Sequence, residues 1–466
     1  MATSGALAEL GRRATARLPE KAQEQARLHL FDALAAALAG AATREGGNAA
    51  RHLAGRGRDQ PPAWIPAQTS QALPPALAPA DIVLALARCI RCTEMDDLQL
   101  ESVTTAAAAA VPALIGALAY VAAGPGAGGL PGMDEALGAL AAGYDVMFTL
   151  GLAAGGPSFL YGRGGWPSLA GAGPAAAATA GRLLGLGAEG IAHAIALALL
   201  STPRSLRGSG EDGRWLSFGL AVTAGFQAAL ATAAGARGDL GLLDAGRAHE
   251  PFAGAGEVME RPWVPGLGLA KAHFKRWASA GQVAAAIDAA GALQDSLGFT
   301  ADDVAAVDVH VPPAYRRMID QPAGSGRLWS LLSAQYQVAV RLLCPDDLFD
   351  CARPALRCSP GFLRVMRAVR VHDADSLAAL HPHSYPARVR VTLASGAVAG
   401  FLSDGRSPAP DWNRDAVLGK ALAAAARTGT EVMAGRLHEA TTRSDDCAGL
   451  LTLAASLITG HGQASG

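Results

Sequence analysis

Residues 103–132 read VTTAAAAAVPALIGALAYVAAGPGAGGLPG and contain no charged side chain. The stretch is long enough to cross a bilayer, but it is rich in Ala and Gly and contains Pro112, Pro125 and Pro131. A spanning helix favours Leu, Ile and Phe, and no Lys or Arg cluster flanks this one. Ala has the highest intrinsic helix propensity, and helices buried in a large core are apolar on all sides. The stretch therefore predicts a closely packed helical core in a globular protein.

The composition of the whole chain favours the same class. The 466 residues include 39 Lys and Arg against 40 Asp and Glu, a formal net charge of −1, and 50% are hydrophobic. This apolar content excludes a disordered chain. The balanced charge disfavours a nucleic-acid binder, because such a protein needs a basic surface to neutralise phosphates. The length predicts two or three domains, or one large core with an appendage.

Successive helices account for the chain up to about residue 265. Apolar residues recur at helical spacing, and clusters of Gly and Pro separate the segments. The predicted helices cover residues 25–38, 80–92, 106–123, 134–150, 170–186, 190–200 and 214–235.

Strand signals appear only after this helical part. Residues 304–311 (VAAVDVHV) alternate and stop at two prolines, and residues 368–372 form a second candidate strand. Residues 387–393 and 397–402 flank an Ala-Ser-Gly turn and predict a hairpin, and a helix is predicted over 329–343.

The fold class that follows is mainly α, with two kinds of domain. A large all-helical domain is predicted over residues 1–267 and a smaller α+β lid domain over 268–404. The C-terminal helices, over 405–466, are expected to return to the large domain.

The sequence contains only weak signals for targeting to a compartment or for binding a cofactor. The N-terminus, MATSGALAELGRRATARLPE, has no secretory pattern, and six scattered cysteines are typical of cytosolic usage, so a cytoplasmic location is predicted. One C-x-x-C pair without a second pair predicts no metal site. Gly185–Gly190 matches G-x-G-x-x-G, but a helix precedes it, so we interpret it as a turn between helices.

Two dense polar clusters stand out in this weakly charged chain. Glu94, Asp96 and Asp97 follow an apolar helix, where they either line a wet cleft or form a solvated helix end with a cap for the next helix. Residues 271–277 (KAHFKRW) lie at the predicted domain boundary, where they either hold a carboxylate or form an exposed basic linker.

A Gly-rich turn adds a third candidate. Residues 163–168 (RGGWPS) precede an Ala-rich helix, whose N-terminus could present backbone N–H groups to an anion. The alternative is a plain loop with Ser168 as the helix cap.

The order of several segments resembles the MmgE/PrpD family, which includes 2-methylcitrate dehydratases, cis-aconitate decarboxylases and iminodisuccinate epimerases. The similarity spans roughly residues 20–430. Each segment is short, and their collinear order carries the resemblance. The matching segments are HLFDALAAALAG (29–40), Asp96-Asp97 with VPAL (111–114), GYDV (143–146), GGWPS (164–168) with GRLLGL (181–186), FKR (274–276), and SAQY (333–336) continuing to Leu343.

The chain departs from the family at several acid/base positions. Where the family usually has His-x-x-Asp-x-Asp-Asp, this sequence has Arg91 and Glu94 and keeps the Asp pair. Thr104 and Thr105 stand where a His-Pro usually follows. Trp166 stands where the family usually has a His, and Arg214 stands where it usually has a Lys.

The resemblance implies chemistry that moves a proton or a leaving group next to a carboxylate without a cofactor. The epimerase branch is similar in depending on Tyr and Lys, so Tyr144 and Lys275 are predicted as two bases, with Asp96 as a third catalytic residue. Substrate contacts are predicted from Arg91, Glu94, Asp97, Thr104, Thr105, Trp166, Arg214, Lys271 and His273. Trp166 in place of His suggests a bulkier, less acidic substrate than citrate.

The leading hypothesis is thus a cofactor-independent isomerase or lyase of specialised metabolism. It transfers a proton next to a carboxylate or carbonyl of a small molecule, which is expected to bear a carboxylate. One alternative is a dehydratase or decarboxylase of a 2-methylcitrate-like or cis-aconitate-like acid, using Asp96, Thr104 and Lys275. Another is a catalytically silent binding subunit. The resemblance also implies a homodimer, and no nucleic-acid or membrane partner is expected.

Overall fold

A computed structural model describes residues 5–49, 77–124, 129–201, 210–244, 250–353, 355–405 and 412–459. The chain folds into two compact units. The first unit comprises Met1–Cys92, Asp96–Phe274 and Thr428–Gly466, and the second comprises Thr93–Met95 and Lys275–Arg427.

In its described residues, the first unit is built of helices apart from one short two-stranded ladder. Its ladder pairs β1 (Leu98–Gln99) with β2 (Ala272–His273) in the antiparallel sense. Its helices are α1 (Ala6–Ala14), α2 (Glu20–Ala41), α3 (Pro79–Arg91), α4 (Ala107–Ala123), α5 (Met133–Ala153), α6 (Pro167–Leu183), α7 (Ala188–Leu199), α8 (Gly210–Ala233), α9 (Ala255–Met259) and α10 (Leu267–Ala270), followed after the second unit by α17 (Glu431–Thr442) and α18 (Cys447–Thr459).

Small side chains let these helices approach closely. Helices α4 and α6 are buried along almost their whole length, and most of their residues are Ala or Gly. At the crossing of α6 and α8, a Cβ placed on Gly225 would lie 1.9 Å from the backbone oxygen of Gly173. The Ala-rich composition therefore serves packing distance as well as helix propensity.

We expect Gly225→Ala to destabilise the protein by about 1–3 kcal/mol or more, because the new methyl group meets backbone and one helix must shift. Gly435→Ala is the matched control, since Gly435 lies within α17 and a Cβ placed there meets nothing within 4 Å. The control is expected to gain up to about 1 kcal/mol from helix propensity. Urea unfolding of both variants measures the difference, and equal stability would contradict the close crossing.

The second unit contains a four-stranded mixed sheet and its covering helices. The strands are β3 (Val304–Val311), β4 (Val369–Asp373), β5 (Ala387–Leu393) and β6 (Val398–Ser403), in the order β4-β3-β5-β6. Strands β3 and β4 are parallel, whereas β5 pairs with both neighbours in the antiparallel sense. The helices are α11 (Gly281–Leu297), α12 (Pro313–Ile319), α13 (Arg327–Leu332), α14 (Ala334–Leu343), α15 (Pro360–Ala368) and α16 (Arg414–Ala426).

The predicted fold class, mainly helical with a smaller α+β part, is confirmed, and so is the hairpin, which forms β5 and β6. The G-x-G-x-x-G segment is a turn between α6 and α7, as predicted. The single helix predicted over 329–343 is wrong. Ser333 adopts an extended conformation there, and its Oγ accepts the N–H of Tyr336, so a new helix begins.

The boundaries of the two units lie at Lys275 and Thr428, compared with predicted domain boundaries at 268 and 405. Helix α16 belongs to the second unit, where Lys420 donates to the carbonyl of Met95. Arg427, which follows α16, pairs with Asp347 of the same unit. These side-chain contacts join α16 and the residue after it to residues that are distant in the sequence.

Among the described residues, two helices are long and apolar enough to cross a membrane by length and composition alone. The most apolar window of α5 is 94% buried within the protein, and that of α8 is 50% buried. Burial of this extent in α5 is what a core helix of a globular protein shows. The uncharged stretch 103–132 contains the buried helix α4, which ends at Ala123.

Candidate active site

Asp97 is the centre of a fully buried polar cluster in the first unit. The hydroxyl of Tyr144 donates to its Oδ2 at 2.5 Å, and the backbone N–H of Ala107 donates to its Oδ1 at 3.2 Å. The Nδ1 atom of His29 lies 3.1 Å from Oδ2. One carboxylate thus faces a phenol, an imidazole and the first turn of α4 without contact with solvent.

Helices α2, α4 and α5 and the residue directly after strand β2 position this cluster. Helix α2 carries His29 and α5 carries Tyr144, and both side chains have no exposed surface. The ring of Phe274, directly after β2, stacks on His29 with centroids 4.1 Å apart and planes 13° apart. Tyr144 meets the same imidazole edge-on at 5.5 Å. The imidazole is therefore fixed in orientation by an aromatic ring on each of two sides.

The charge state of the cluster follows from these contacts. Burial raises the pKa of Asp97, but the hydrogen bond and charge of His29, with the hydrogen bonds of Tyr144 and Ala107, lower it below its ordinary value. Burial and the neighbouring Asp97 carboxylate hold the pKa of Tyr144 well above 10. Tyr144 is therefore a protonated donor, whereas a tyrosine base requires a shift in the opposite direction.

Several buried polar side-chain atoms of the first unit are not satisfied by the described residues, and two of them concern candidate site residues. The Nε2 atom of His29 and the Oγ1 atom of Thr105 have no hydrogen-bond partner in that part of the chain. Unsatisfied buried polar atoms are rare in native proteins and each costs about 1–3 kcal/mol. Both atoms are therefore candidates for contact with a bound molecule.

Asp96 belongs to a second cluster, built of arginine and tryptophan. Its Oδ1 accepts from Nη1 of Arg91 at 3.2 Å, and both side chains are buried. The Arg91 guanidinium lies 5.3 Å from the ring of Trp166 and 5.6 Å from that of Trp215. Arg214 lies 4.1 and 5.4 Å from the same two rings.

Arg91, Trp166 and Arg214, three of the positions at which the resemblance implies a replaced residue, thus come together in space within the first unit. Guanidinium groups keep their charge at all physiological pH values and stack on aromatic faces. This cluster can hold an anion, but its guanidinium and indole groups cannot shuttle protons as the histidines implied at positions 91 and 166 would. Asp96 and Asp97 are consecutive residues, so one peptide bond joins the anion-binding cluster to the cluster around His29.

Lys275 forms a buried ion pair in the second unit. Its Nζ lies 3.1 Å from Oε2 of Glu94, and the two side chains are 7% and 6% exposed. Glu94 has a φ of 53°, in the left-handed region that non-Gly residues rarely adopt. Such strain persists only where the surrounding structure over-determines it, and it is concentrated at functional sites.

The remaining predicted site residues occupy other surroundings. Thr104 donates to Oε1 of Gln99 at 2.6 Å, which commits its hydroxyl to the loop before α4. Lys271 pairs with Glu101 at 2.7 Å, and His273 is an exposed residue of β2. None of these three side chains has a described hydrogen bond or ion pair with the Asp97 or Arg91 clusters. Burial lowers the pKa of His273, and the charges of His29 and Asp97 also act on it. Whether Tyr144 and Lys275 act on one carbon stays a prediction.

Three structural interpretations from the sequence are wrong. Glu94, Asp96 and Asp97 are buried, so they are not a solvated helix end, although Asp97 does accept from the first turn of α4. Residues 271–277 are not an exposed linker, because Phe274, Lys275 and Trp277 are buried. Ser168 does not cap α6, which begins one residue earlier at Pro167.

His29 is a candidate functional residue that the sequence patterns do not single out. It lies in the buried run of α2 between Leu28 and Ala41, whose pattern indicates only an apolar helix. A usable signal exists, because His29 and Asp32 are ionisable residues on a helix that is otherwise Ala, Leu, Phe and Gly in this run. Buried ionisable residues of this kind are enriched at functional sites. No group of three or more His, Cys, Asp or Glu in the described residues is arranged to hold a metal ion.

Asp145, next to Tyr144 in α5, supplies a pH-dependent contact. Its two oxygens accept the N–H groups of Gly266 and Gly268 at 2.9 and 2.6 Å, and burial raises its pKa to about 7. A raised folded-state pKa adds stability at low pH that is lost as the pH rises through 7.

We therefore expect the stability of the wild type, relative to Asp145→Asn, to fall by a few kcal/mol between about pH 4 and pH 7. The asparagine cannot titrate, so only the wild type has this pH dependence. Urea unfolding of both proteins across that range measures the difference. Parallel stability curves would contradict a raised Asp145 pKa.

Two family models match most of the chain. The one described as the MmgE/PrpD N-terminal domain matches residues 10–257, and the one described as the MmgE/PrpD C-terminal domain matches residues 277–444. No curated protein is similar enough to count as a match.

Proposed function

The chain belongs to the MmgE/PrpD family, and we propose that it is a cofactor-independent isomerase or lyase that moves a proton next to a carboxylate. Family membership indicates activity of the dehydratase, isomerase or lyase type. The finer assignment rests on the two clusters of the first unit. One holds a base in a fixed orientation, and the other supplies permanent positive charge.

The arrangement of His29 is the single observation that carries the proposal. Asp97 lies at hydrogen-bond distance from Nδ1, which favours the tautomer with the proton on Nδ1 and a lone pair on Nε2. A carboxylate behind an imidazole also stabilises the imidazolium that forms when Nε2 takes a proton. Nε2 has no partner among the described residues, so it is available for this task.

The proposed reaction begins with proton abstraction. His29 Nε2 takes a proton from a carbon next to the substrate carboxylate, and the bonding electron pair moves into an enolate. Arg91 and Arg214 offset the growing negative charge, because guanidinium groups bind carboxylate and enolate oxygens well in a dry site. In an isomerase the proton then returns to carbon. In a lyase the enolate electron pair instead forms a carbon–carbon double bond, and a leaving group on the neighbouring carbon departs with the electron pair of its own bond.

The Arg91 cluster also bears on substrate choice. Arg91 already has Asp96 as an anionic partner, and Trp166 and Trp215 contribute apolar ring surface. This balance suits an acid with fewer carboxylates and more apolar bulk than citrate. The finer assignment of substrate rests on this charge count and on the replacement of His by Trp166.

The test is a survey of small acids by ¹H NMR, with 2-methylcitrate, cis-aconitate, iminodisuccinate and bulkier monocarboxylates as probes. We expect turnover of an acid from the bulkier, less charged group. Turnover of 2-methylcitrate or cis-aconitate would instead favour the dehydratase or decarboxylase alternative. Binding of an acid without turnover of any would favour a silent binding subunit and contradict the proposal.

A further inference from the structure

A cavity of about 210 Å³ in the first unit has lining residues different from those of the two clusters described above. Its walls come from α1, α5, α9, α10 and the loops around them. None of its lining residues belongs to the His29 or Arg91 clusters. The lining residues that the argument uses are Arg13, Glu101, Phe148, Arg261, Trp263 and Lys271.

Arg13 gives this cavity a fixed cationic wall. The side chain is 7% exposed, and its Nε donates to Glu9 at 2.8 Å while Nη2 donates to the carbonyl of Met259 at 2.7 Å. Its guanidinium also lies 5.3 Å from the ring of Trp263. A charged group held by two hydrogen bonds and an aromatic face loses little entropy when it binds a ligand.

The charges on the walls favour an anion. Arg13, Arg261 and Lys271 are cationic, and Glu101 is the one carboxylate among the described lining residues. Glu101 pairs with Lys271 at 2.7 Å, which leaves Arg13 and Arg261 in excess on the cavity surface. Arg13 pairs with Glu9 and Arg261 pairs with Glu257, but neither carboxylate is part of the lining.

Apart from Thr149, the rest of the lining is apolar, and it limits the size of a ligand. Phe148 and Trp263 contribute aromatic surface, and aliphatic side chains complete the wall. A dry cavity of roughly 150 Å³ can accept benzene, so this volume accommodates a six-membered ring with one carboxylate. A citrate-like tricarboxylate would face too few cations here.

We propose that this cavity is a second ligand site, which binds a small carboxylate with a compact apolar body, such as an aromatic acid. Lys271 then acts at this site and not at the His29 cluster. The proposal stands apart from the proposed function, because no residue of that mechanism lines the cavity.

Calorimetric titration with benzoate tests the site, with the neutral isostere benzamide as the ligand control. We expect benzoate to bind and benzamide to bind at least tenfold more weakly, because the charge is the attractive feature. Arg261→Gln is expected to weaken benzoate binding roughly tenfold. Glu101→Gln is expected to tighten it by a factor of a few, because it removes the one carboxylate of the described lining.

Two further variants keep the test specific. Arg237→Gln removes an exposed arginine that pairs with Glu189 elsewhere on the first unit, and it should leave binding unchanged. His29→Asn should also leave it unchanged, which separates this site from the proposed active site. Absence of benzoate binding, equal binding by Arg261→Gln, or loss of binding in His29→Asn would overturn the proposal.

Discussion

His29→Asn is expected to lower kcat/KM by roughly 10²–10⁴-fold for the acid that the wild type turns over, because the variant lacks the proposed general base. Asparagine retains polar atoms in the buried site but cannot take a proton. The loss should appear in kcat as well as in kcat/KM, because the base acts in the transition state and contributes little to substrate binding. Steady-state kinetics at neutral pH measures both constants.

His193→Asn is the matched control for this experiment. His193 is also a buried histidine on a helix of the first unit, but its Nδ1 lies 3.0 Å from the carbonyl of Gly238, outside both clusters. The control should keep wild-type turnover. Thermal unfolding of both variants shows whether either change acts through stability. Full activity in a folded His29→Asn enzyme would remove His29 from the mechanism.

Lys275→Met is expected to destabilise the protein by about 3–5 kcal/mol, since it leaves the buried Glu94 carboxylate without its cationic partner. The double variant Glu94→Gln/Lys275→Met should recover most of that loss, because no uncompensated charge remains. Urea unfolding of the wild type, the single variant and the double variant measures both steps. Equal stability of the single variant and the wild type would contradict a tightly coupled pair.

The same double variant tests the predicted catalytic role of Lys275 without the stability loss. If Lys275 moves a proton, the double variant remains folded and loses turnover, whereas a purely structural pair would leave turnover intact. Full turnover in Lys275→Ala or in the double variant would exclude Lys275 from the chemistry. This outcome would leave the His29–Asp97 proposal standing.

Much of the fold could be predicted because it depends on local patterns. The Ala-rich helix at 107–123, the strand at 304–311 and the hairpin over 387–403 each follow from periodicity and turn residues within one segment. The parallel pairing of β3 with β4 could not be predicted this way, because it joins segments far apart in the chain. The break at Ser333 is equally hidden, since apolar spacing continues across it.

The candidate site could likewise be predicted only where its residues belong to short local motifs. Short motifs single out Asp97 and Tyr144, but their partner His29 belongs to a helix whose pattern is typical of a core. Along the sequence, the replacements that the resemblance implies at Arg91, Trp166 and Arg214 are three unconnected changes. In space the three side chains are stacked, and the guanidinium groups of Arg91 and Arg214 both lie against the ring of Trp166.

The most direct test of the central claim is deuterium exchange at the carbon next to the substrate carboxylate. Wild type and His29→Asn are incubated in D₂O with the acid that the wild type turns over, and ¹H NMR follows the loss of the carbon-bound proton signal. We predict that the wild type catalyses exchange or deuterated product formation and that His29→Asn does neither above background. Exchange at the wild-type rate in His29→Asn would show that His29, held by Asp97, is not the group that moves the proton.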